Sequence, residues 1–313
     1  MKHLVSIIIP FLNEEENIPL LTSALTAFSN SQNEFDVEAI FVNDGSTDRS
    51  VLLLRNSEHR GYKVKVISLS KNFGSHAALR AGIMHATGNF ISFMYADLQD
   101  PIELIQQLYT KCKEGNEISW AVRNNTENSF FEKSFSKFYA SMMKKYAIST
   151  YPEKGFDIVM FSRKVQSNLN ANIEANSSIF LQILTLGYKQ ITIGYNKQSR
   201  KKGKSKWTLS KKIKLFIDSF IAFSFAPMRF VTVMGFVFFL IGLIWTVYVV
   251  TLKLTSGHLA EGWPSLISIL FLGFGLTNIS LGIIAEYLWR ILDASRRRPV
   301  FIIDEIIELN ENV

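Results

Sequence analysis

The chain is very poor in cysteine, since Cys112 is the only one among 313 residues. One thiol cannot form an intrachain disulfide, and it cannot supply the thiolates of a structural zinc site. Five histidines are present, and their positions do not show the spacing of a metal-binding pair. The chain is therefore not expected to hold a disulfide framework or a Cys/His metal centre, and its thiol content fits a reducing cytoplasm.

Three widespread catalytic or nucleotide-binding motifs are also missing. No G-x-G-x-x-G run follows a strand-like segment. Gly203-Lys204-Ser205 resembles the end of a P-loop, but residue 198 is glutamine and no strand–loop–helix pattern surrounds it. No Ser/His/Asp arrangement can be argued either. The sequence thus gives no support to a dinucleotide-binding Rossmann site, a P-loop or a serine hydrolase.

Charge is absent from two long apolar segments near the C-terminal end. Residues 231–252 carry no charge over about 22 positions, and residues 262–285 carry none over about 24. Each is long enough to cross a bilayer as a helix. The alternative is a pair of buried helices in a soluble core, which rarely stay free of charge for so long. The apolar start at residues 4–9 is too short for the core of a signal peptide.

The net charge of +7 comes entirely from the second part of the chain. Residues 1–196 hold 19 basic and 19 acidic residues, whereas residues 197–313 hold 15 and 8. The basic residues flank the two apolar segments, so the positive-inside rule predicts cytoplasmic flanks and an outward-facing connection at residues 253–261. A neutral first half with basic flanks indicates an anionic lipid surface as partner, and no nucleic acid.

Strands alternate with helices in the first hundred residues. Four apolar, β-prone segments each run into a polar turn: residues 5–9, 39–42, 64–69 and 90–94. Helical patterns lie between them: residues 18–28, 50–58 and 76–86. This alternation predicts an α/β domain with a mainly parallel central sheet.

Polar side chains follow the end of each predicted strand. In a parallel sheet the carboxyl ends of the strands share one edge, where ligands bind. We therefore expect these residues to converge on one cleft: Asn13, Glu14, Asp44, Asn72, Asp97, Gln99 and Asp100. Such a cleft, rich in acids and amides, suits a ribose, a base edge and a metal-held diphosphate.

The turn after the fourth predicted strand gives the strongest chemical signal. A diphosphate leaving group needs its charge neutralised, and a divalent cation held by one or two carboxylates does this. Asp97 is interpreted mainly as a metal ligand. Asp100 precedes Pro101 at an apparent helix start, so it is interpreted mainly as an N-cap, with metal binding as the alternative. Asp44 could bind a base or ribose, or simply belong to an Asp-Gly turn.

The rest of the chain gives further elements. Strands are predicted at residues 116–122 and 190–195, and helices at residues 130–146 and 177–186. Residues 155–161 show a transition from polar to apolar residues, and no element is assigned to them. A basic loop follows at residues 197–206. The predicted organisation is a catalytic domain (1–206), an amphipathic juxtamembrane helix (207–227), two transmembrane helices (228–254 and 262–289) and a cytoplasmic tail (290–313).

Three runs in order, VSIIIP at 5–10, VNDGSTD at 42–48 and ADLQDP at 96–101, resemble the family 2 glycosyltransferases with the GT-A fold. Later matches resemble the membrane-anchored polyprenyl-phosphate hexose transferases, which include bactoprenol glucosyltransferases and relatives of dolichyl-phosphate mannose synthase. They are KNFG at 71–74, RAG at 80–82, the basic loop with Trp207, PMRF at 227–230, EYL at 286–288 and RRP at 297–299. The resemblance covers nearly the whole chain.

The resemblance implies roles for individual residues. Those expected at the nucleotide and donor are Pro10, Leu12, Glu14, Asp44, Lys71 and Arg80. Those expected at the reacting groups are Asp97 as metal ligand, Gln99 on the sugar or phosphate, and Asp157 near the acceptor. Those expected on donor or lipid phosphate are Arg200, Ser205 and Lys206.

One position departs from the family pattern. The family usually has Asp-x-Asp before Leu-Gln, and the first position here is Tyr95. Tyrosine is a poor ligand for a hard divalent cation at neutral pH. The implied Mg²⁺ or Mn²⁺ would then be held by Asp97 with phosphates and water, or with help from Asp100, or activity would be reduced.

The implied function is inverting transfer of a hexose, first of all glucose from UDP-glucose, onto undecaprenyl phosphate for O-antigen or cell-wall glycan modification. The implied location is the bacterial inner membrane, with several spans and with the catalytic domain and both termini cytoplasmic. Self-association, a flippase and a downstream glycosyltransferase are further partners that the resemblance leaves open.

Two alternatives remain. One is transfer of a modified sugar, an N-acetylhexosamine or an aminoarabinose derivative, to the same lipid. The other is a catalytically weak membrane partner that binds nucleotide sugar, which Tyr95 motivates. A processive polysaccharide synthase is disfavoured, because it usually needs more spans and a Gln-x-x-Arg-Trp segment that this chain lacks.

Overall fold

The computed structural model describes residues 2–124, 140–148, 151–152, 156–174, 178–196, 224, 226–256, 262–296 and 298–309. The chain forms two compact units. The first comprises Met1–Ser219 and Pro299–Val313, and the second comprises Phe220–Arg298. The predicted basic loop and nearly all of the predicted amphipathic helix lie outside the described residues.

The first unit is built on an eight-stranded sheet with the order β7-β5-β6-β4-β1-β2-β3-β8. Its strands are β1 (His3–Phe11), β2 (Phe35–Asn43), β3 (Lys63–Leu69), β4 (Phe90–Phe93), β5 (Ile118–Arg123), β6 (Phe156–Ser162), β7 (Gln190–Tyr195) and β8 (Ile303–Leu309). Six of the eight strands were expected from the sequence, and β6 and β8 were not.

The strand directions confirm a mainly parallel sheet. β4, β1, β2 and β3 are neighbours and run parallel, and β5 runs parallel to β7. β6 is antiparallel to both β4 and β5, and β8 is antiparallel to β3. The carboxyl ends of β1–β5 and β7 therefore share one edge with the starts of β6 and β8. We call this the site edge.

Helices connect the strands of the first unit. They are α1 (Ile18–Ser31), α2 (Ser50–Asn56), α3 (Ser75–His85), α4 (Leu104–Lys113), α5 (Arg163–Ala171) and α6 (Ile179–Thr185). α1 has a proline in its first turn and buries Ile18, Leu21, Leu25 and Phe28, the apolar face that its sequence period predicts. Residues 140–146 are also helical. α5 was not predicted, because Val165 and Leu169 are its only buried apolar residues.

The C-terminal segment corrects the predicted domain organisation. Residues 290–313 were expected to form a cytoplasmic tail, but Ile303–Leu309 forms β8 and extends the sheet beyond β3. Ile307 and Leu309 pack against the core of the first unit. The first unit is therefore discontinuous in sequence, and the second unit is inserted between β7 and β8.

The second unit contains two long helices, α7 (Ala226–Ser256) and α8 (Trp263–Arg296), at the positions of the predicted spans. Their lengths are 31 and 34 residues. Among the residues that the structure describes, no helix combines the length and the apolar character that a membrane crossing needs.

Candidate functional site

The loops that carry the predicted site residues meet at the site edge. The register places Phe11 beside Asn43, Asn43 beside Ser68 and Ile8 beside Phe93, so β4, β1, β2 and β3 end next to one another. Each of these four strands is followed by a polar loop. The topology thus brings together the acids and amides that the sequence placed at strand ends.

Hydrogen bonds between side chains and backbone interlock the loops after β1 and β2. The amide of Asn13 donates to Oγ of Ser46 at 2.9 Å, and the amide of Thr47 donates to Oδ1 of Asn13 at 2.8 Å. The amide of Glu14 donates to Oγ of Ser50 at 2.8 Å. These polar residues hold the two loops against each other.

The first segment predicted to contact the nucleotide lies at this interlocked edge. Pro10 is buried within β1 and pairs with Val42, and Leu12 is half-buried just after the strand. The carboxylate of Glu14 accepts a hydrogen bond from Nδ2 of Asn17 at 2.7 Å. Their contacts with a nucleotide stay a prediction.

Asp44 connects the loop after β2 to the loop after β3. Its carboxylate accepts hydrogen bonds from the amides of Phe73 (2.7 Å) and Gly74 (3.0 and 3.2 Å). Burial raises the pKa of Asp44, and the two backbone donors partly oppose this rise. The Asp44 carboxylate therefore holds two loops of the site edge together, and its binding of a nucleoside stays a prediction.

The loop after β4 has an unusual backbone. Leu98 has a φ of 52°, in the left-handed region, and the amide of Gln99 donates to Oδ1 of Asp97 at 3.3 Å. Asp100 is almost fully buried, and its Oδ1 accepts a hydrogen bond from the hydroxyl of Tyr195 at 2.7 Å. α4 begins at Leu104 with Glu103 as its N-cap residue, so the predicted N-cap role of Asp100 is wrong.

The loop after β4 carries the side chains that are predicted to bind a divalent cation. Within the described ranges, no group of three or more His, Cys, Asp or Glu could hold a metal ion. Asp97 and Gln99 offer a carboxylate and an amide oxygen two positions apart, and both are hard donors. Such a pair fits a cation that takes its remaining ligands from a diphosphate and water, as Mg²⁺ commonly does.

Lys71 and Arg80 occupy very different environments. Lys71 is exposed, and its Nζ lies 5.1 Å from the ring centroid of Phe73. Arg80 is only 2% exposed, and its guanidinium donates to the carbonyl of Leu169 at 2.8 Å and to Oε1 of Gln182. Burial lowers the pKa of Arg80 to about 10. Arg80 thus connects α3 to α5 and α6, and its contact with a donor stays a prediction.

The structure describes the remaining predicted site residues only in part or not at all. Asp157 is the second residue of β6, whose start lies at the site edge beside β4, and its side chain is not among those described. Arg200, Ser205 and Lys206 lie outside the described residues.

One residue at the site edge was missed by sequence reasoning. Tyr195 is the last residue of β7. The strand predicted at residues 190–195 already put this tyrosine at the carboxyl end of a strand. Its partner Asp100 lies 95 positions earlier in the chain, so the contact between them depends on the folded topology.

Comparison with known proteins identifies the family. A model of glycosyl transferase family 2 matches residues 6–175, which is more than half of the chain and includes most of β1 and all of β2–β6. The chain belongs to glycosyl transferase family 2. The polar loops at the site edge are therefore those of a glycosyltransferase, and the predicted family and enzyme class are confirmed.

Relatives of this glycosyltransferase align over nearly their whole length. "Uncharacterized glycosyltransferase YkcC" of Bacillus subtilis is 34% identical over 301 residues, which cover 96% of this chain and 93% of that protein. "Undecaprenyl-phosphate 4-deoxy-4-formamido-L-arabinose transferase" of Proteus mirabilis is 32% identical over 309 residues, with coverages of 97% and 94%. A crystal structure of Mycobacterium tuberculosis glucosyl-3-phosphoglycerate synthase superposes with a TM-score of 0.47 and 16% identity, covering 69% of this chain and 76% of that chain.

Proposed function

We propose that this family 2 glycosyltransferase moves a sugar from a nucleotide diphosphate onto undecaprenyl phosphate at a membrane surface. The observation that carries the proposal is the set of acid- and amide-bearing loops joined at the ends of β4, β1, β2 and β3. The relative from Proteus mirabilis, whose name states transfer involving undecaprenyl phosphate, aligns over 97% of this chain and supports the acceptor.

The donor would lie across the site edge. The segment around Pro10, Leu12 and Glu14, together with Asp44, would hold the nucleoside, since these residues line the adjoining ends of β1 and β2. Asp97 and Gln99 would hold a Mg²⁺ or Mn²⁺ ion together with the diphosphate. When bound, this cation offsets the negative charge that grows on the leaving diphosphate. Lys71, exposed after β3, would add a further positive charge.

The reaction needs little help from a general base. An oxygen of the acceptor phosphate, already negatively charged, forms a bond to the anomeric carbon while the bond from that carbon to the diphosphate breaks. Attack from the opposite face inverts the anomeric configuration, and the nucleoside diphosphate leaves with the bonding electron pair. The protein then acts mainly by positioning and charge stabilisation. Asp157 would orient the acceptor, and Arg200, Ser205 and Lys206 would bind phosphate.

The second unit would anchor the enzyme as two transmembrane helices. Many side chains on α7 and α8 are large, apolar and exposed, among them Phe230, Ile244, Phe274 and Ile291. The chain leaves the first unit after Ser219 and re-enters it at Pro299. Two crossings would return the chain to the side from which it started, which agrees with this connectivity. The basic residues on both flanks support a cytoplasmic catalytic unit in the bacterial inner membrane.

Glucose from UDP-glucose is the first candidate for the sugar, as the family resemblance suggests. A modified aminoarabinose is the second, favoured by the name of the Proteus mirabilis relative. A full-length preparation in membranes can be given undecaprenyl phosphate, Mn²⁺ and a panel of labelled nucleotide sugars, followed by extraction of the lipid product. We expect one sugar to enter the lipid phase. Binding of nucleotide sugar without any lipid product across the panel would favour the non-catalytic partner instead.

A further inference from the structure

The loop between β4 and α4 carries Asp97 and Gln99, and it contains neither helix nor strand. Leu98 adopts a left-handed backbone, which is disfavoured for a residue with a side chain. The hydrogen bond from the amide of Leu98 to the carbonyl of Tyr95 is long, at 3.4 Å. A loop with this backbone depends on contacts from the surrounding structure to keep its conformation.

One such contact comes from Tyr195 at the end of β7. Its hydroxyl donates to Asp100 at 2.7 Å, and the two residues are only 6% and 3% exposed. In the sheet, β5 and β6 lie between β7 and β4. This hydrogen bond therefore joins two parts of the site edge that are not neighbours. A buried carboxyl group that loses such a donor is strongly disfavoured, so the contact resists breaking.

We infer that Tyr195 is a positioning residue, which holds Asp100 and thereby places Asp97 and Gln99 for the cation-bound diphosphate. Asp100 is then the anchor of this loop and does not ligate the metal. Loss of a group that orients a metal ligand commonly costs about 10- to 100-fold in metal affinity. The inference rests on the proposed function, because it assumes that a cation and a nucleotide diphosphate bind at Asp97.

Three substitutions separate anchoring from metal ligation. Tyr195→Phe keeps the buried ring and removes the hydroxyl. Asp100→Asn removes the charge and keeps an oxygen that can accept from Tyr195. Tyr109→Phe is the matched control, because Tyr109 is only 1% exposed and its hydroxyl bonds Nδ1 of His3 at 2.8 Å. His3 begins β1, so the control removes a buried tyrosine hydroxyl at the opposite edge of the sheet.

The measurement is Mn²⁺ binding by the full-length protein in detergent, followed by the electron paramagnetic resonance of free Mn²⁺ in the presence of UDP. We expect Tyr195→Phe to weaken Mn²⁺ binding by about tenfold. We expect Asp100→Asn to stay within about threefold of wild type, and Tyr109→Phe to bind Mn²⁺ normally. The concentration of Mn²⁺ that gives half-maximal transfer should follow the same order. The melting temperature of Tyr195→Phe should fall further than that of Tyr109→Phe, because Asp100 is buried and His3 is exposed, but both variants should be folded at the temperature of the measurement.

Two results would overturn the inference while leaving the proposed function intact. In the first, Tyr195→Phe binds Mn²⁺ as well as Tyr109→Phe does. In the second, Asp100→Asn loses Mn²⁺ as completely as Asp97→Asn, which would make Asp100 a ligand. A wild-type protein that binds no Mn²⁺ with UDP is a different result: it contradicts the proposed donor chemistry, and the inference falls with it.

Discussion

Asn13 and Gly45 both adopt positive φ angles, 51° and 76°, in the loops that build the site edge. Asparagine and glycine are the residues that tolerate this conformation best. A Cβ atom on residue 45 would lie 2.7 Å from the amide nitrogen of Asn72, so glycine also permits the close approach of two loops. The turns were predictable from residue type, whereas the bonds from Asn13 to the loop after β2 were not.

Asp97→Asn tests the proposed metal ligand. We expect transfer to fall by at least about a hundredfold, because a divalent ion contributes several kcal/mol of charge stabilisation. The melting temperature should stay close to that of wild type, since Asp97 is only partly buried. Asp36→Asn is the control, because Asp36 is exposed at the start of β2, at the opposite edge. Transfer by Asp97→Asn at nearly the wild-type rate would contradict the assignment.

Tyr95→Asp restores the carboxylate that the family usually has before the metal-binding aspartate. Tyr95 is half-buried two positions before Asp97, on the same loop. A second carboxylate should lower the Mn²⁺ concentration needed for half-maximal transfer to about a tenth. Tyr95→Phe, which adds no ligand, should leave the Mn²⁺ requirement unchanged. If both variants titrate with Mn²⁺ as wild type does, the side chain at position 95 takes no part in the metal shell.

At the scale of elements, local patterns predicted β1–β5 and β7, gave only a polar-to-apolar transition at β6, and did not predict β8. Each of the first four strands is an apolar run that ends in a polar turn. This pattern is local, so it can be recognised in the sequence without knowledge of the fold. β8 reads Ile-Asp-Glu-Ile-Ile-Glu-Leu, a short and strongly acidic segment after a basic flank. Its role depends on pairing with β3, more than two hundred positions earlier, and no sequence period records such a pairing.

β8 also contacts the site edge, because its antiparallel direction starts it there. The carbonyl of Ile302 accepts from the amide of Ser70, directly before the exposed Lys71. Arg55 and Glu305 form an ion pair at 2.5 Å, but both side chains are well exposed and the pair is worth at most about 1 kcal/mol. The stabilising effect of β8 should therefore come mainly from its ladder with β3 and from the packing of Ile307 and Leu309.

Removal of residues 302–313 tests this role. We expect the melting temperature of the full-length protein to fall by about 5 °C or more, since an exposed β3 edge loses backbone partners and apolar cover. Binding of UDP with Mn²⁺ should weaken as well, because the loop that begins at Ser70 loses its neighbour. Removal of residues 310–313 alone, which follow β8, is the control and should change neither quantity. Equal behaviour of the two truncated chains would show that β8 is dispensable.

At the scale of the whole molecule, one unit carries the candidate site and the other carries the exposed apolar helices. The site-edge loops and β8 all belong to the first unit, and α7 and α8 belong to the second. A chain cut at the start of α7 would therefore lose β8 together with the helices. Two functions would fail at once, and the cut could not separate nucleotide binding from membrane anchoring.

Replacement of residues 220–298 by a flexible Gly/Ser linker of about 15 residues keeps β8 and removes only the helical unit. We expect this chain to fold without detergent and to bind UDP with Mn²⁺ within about threefold of the full chain, because every site-edge loop remains. Transfer to undecaprenyl phosphate in vesicles should be lost. The basic segment at residues 197–214 stays, so the chain should still sediment with anionic vesicles at low salt. This binding should be lost in high salt, and neutral vesicles should not bind the chain.

If the excised chain folds but no longer binds UDP, the helical unit contributes to the nucleotide site. If it still glycosylates undecaprenyl phosphate at the full rate, membrane anchoring by α7 and α8 is unnecessary for the reaction.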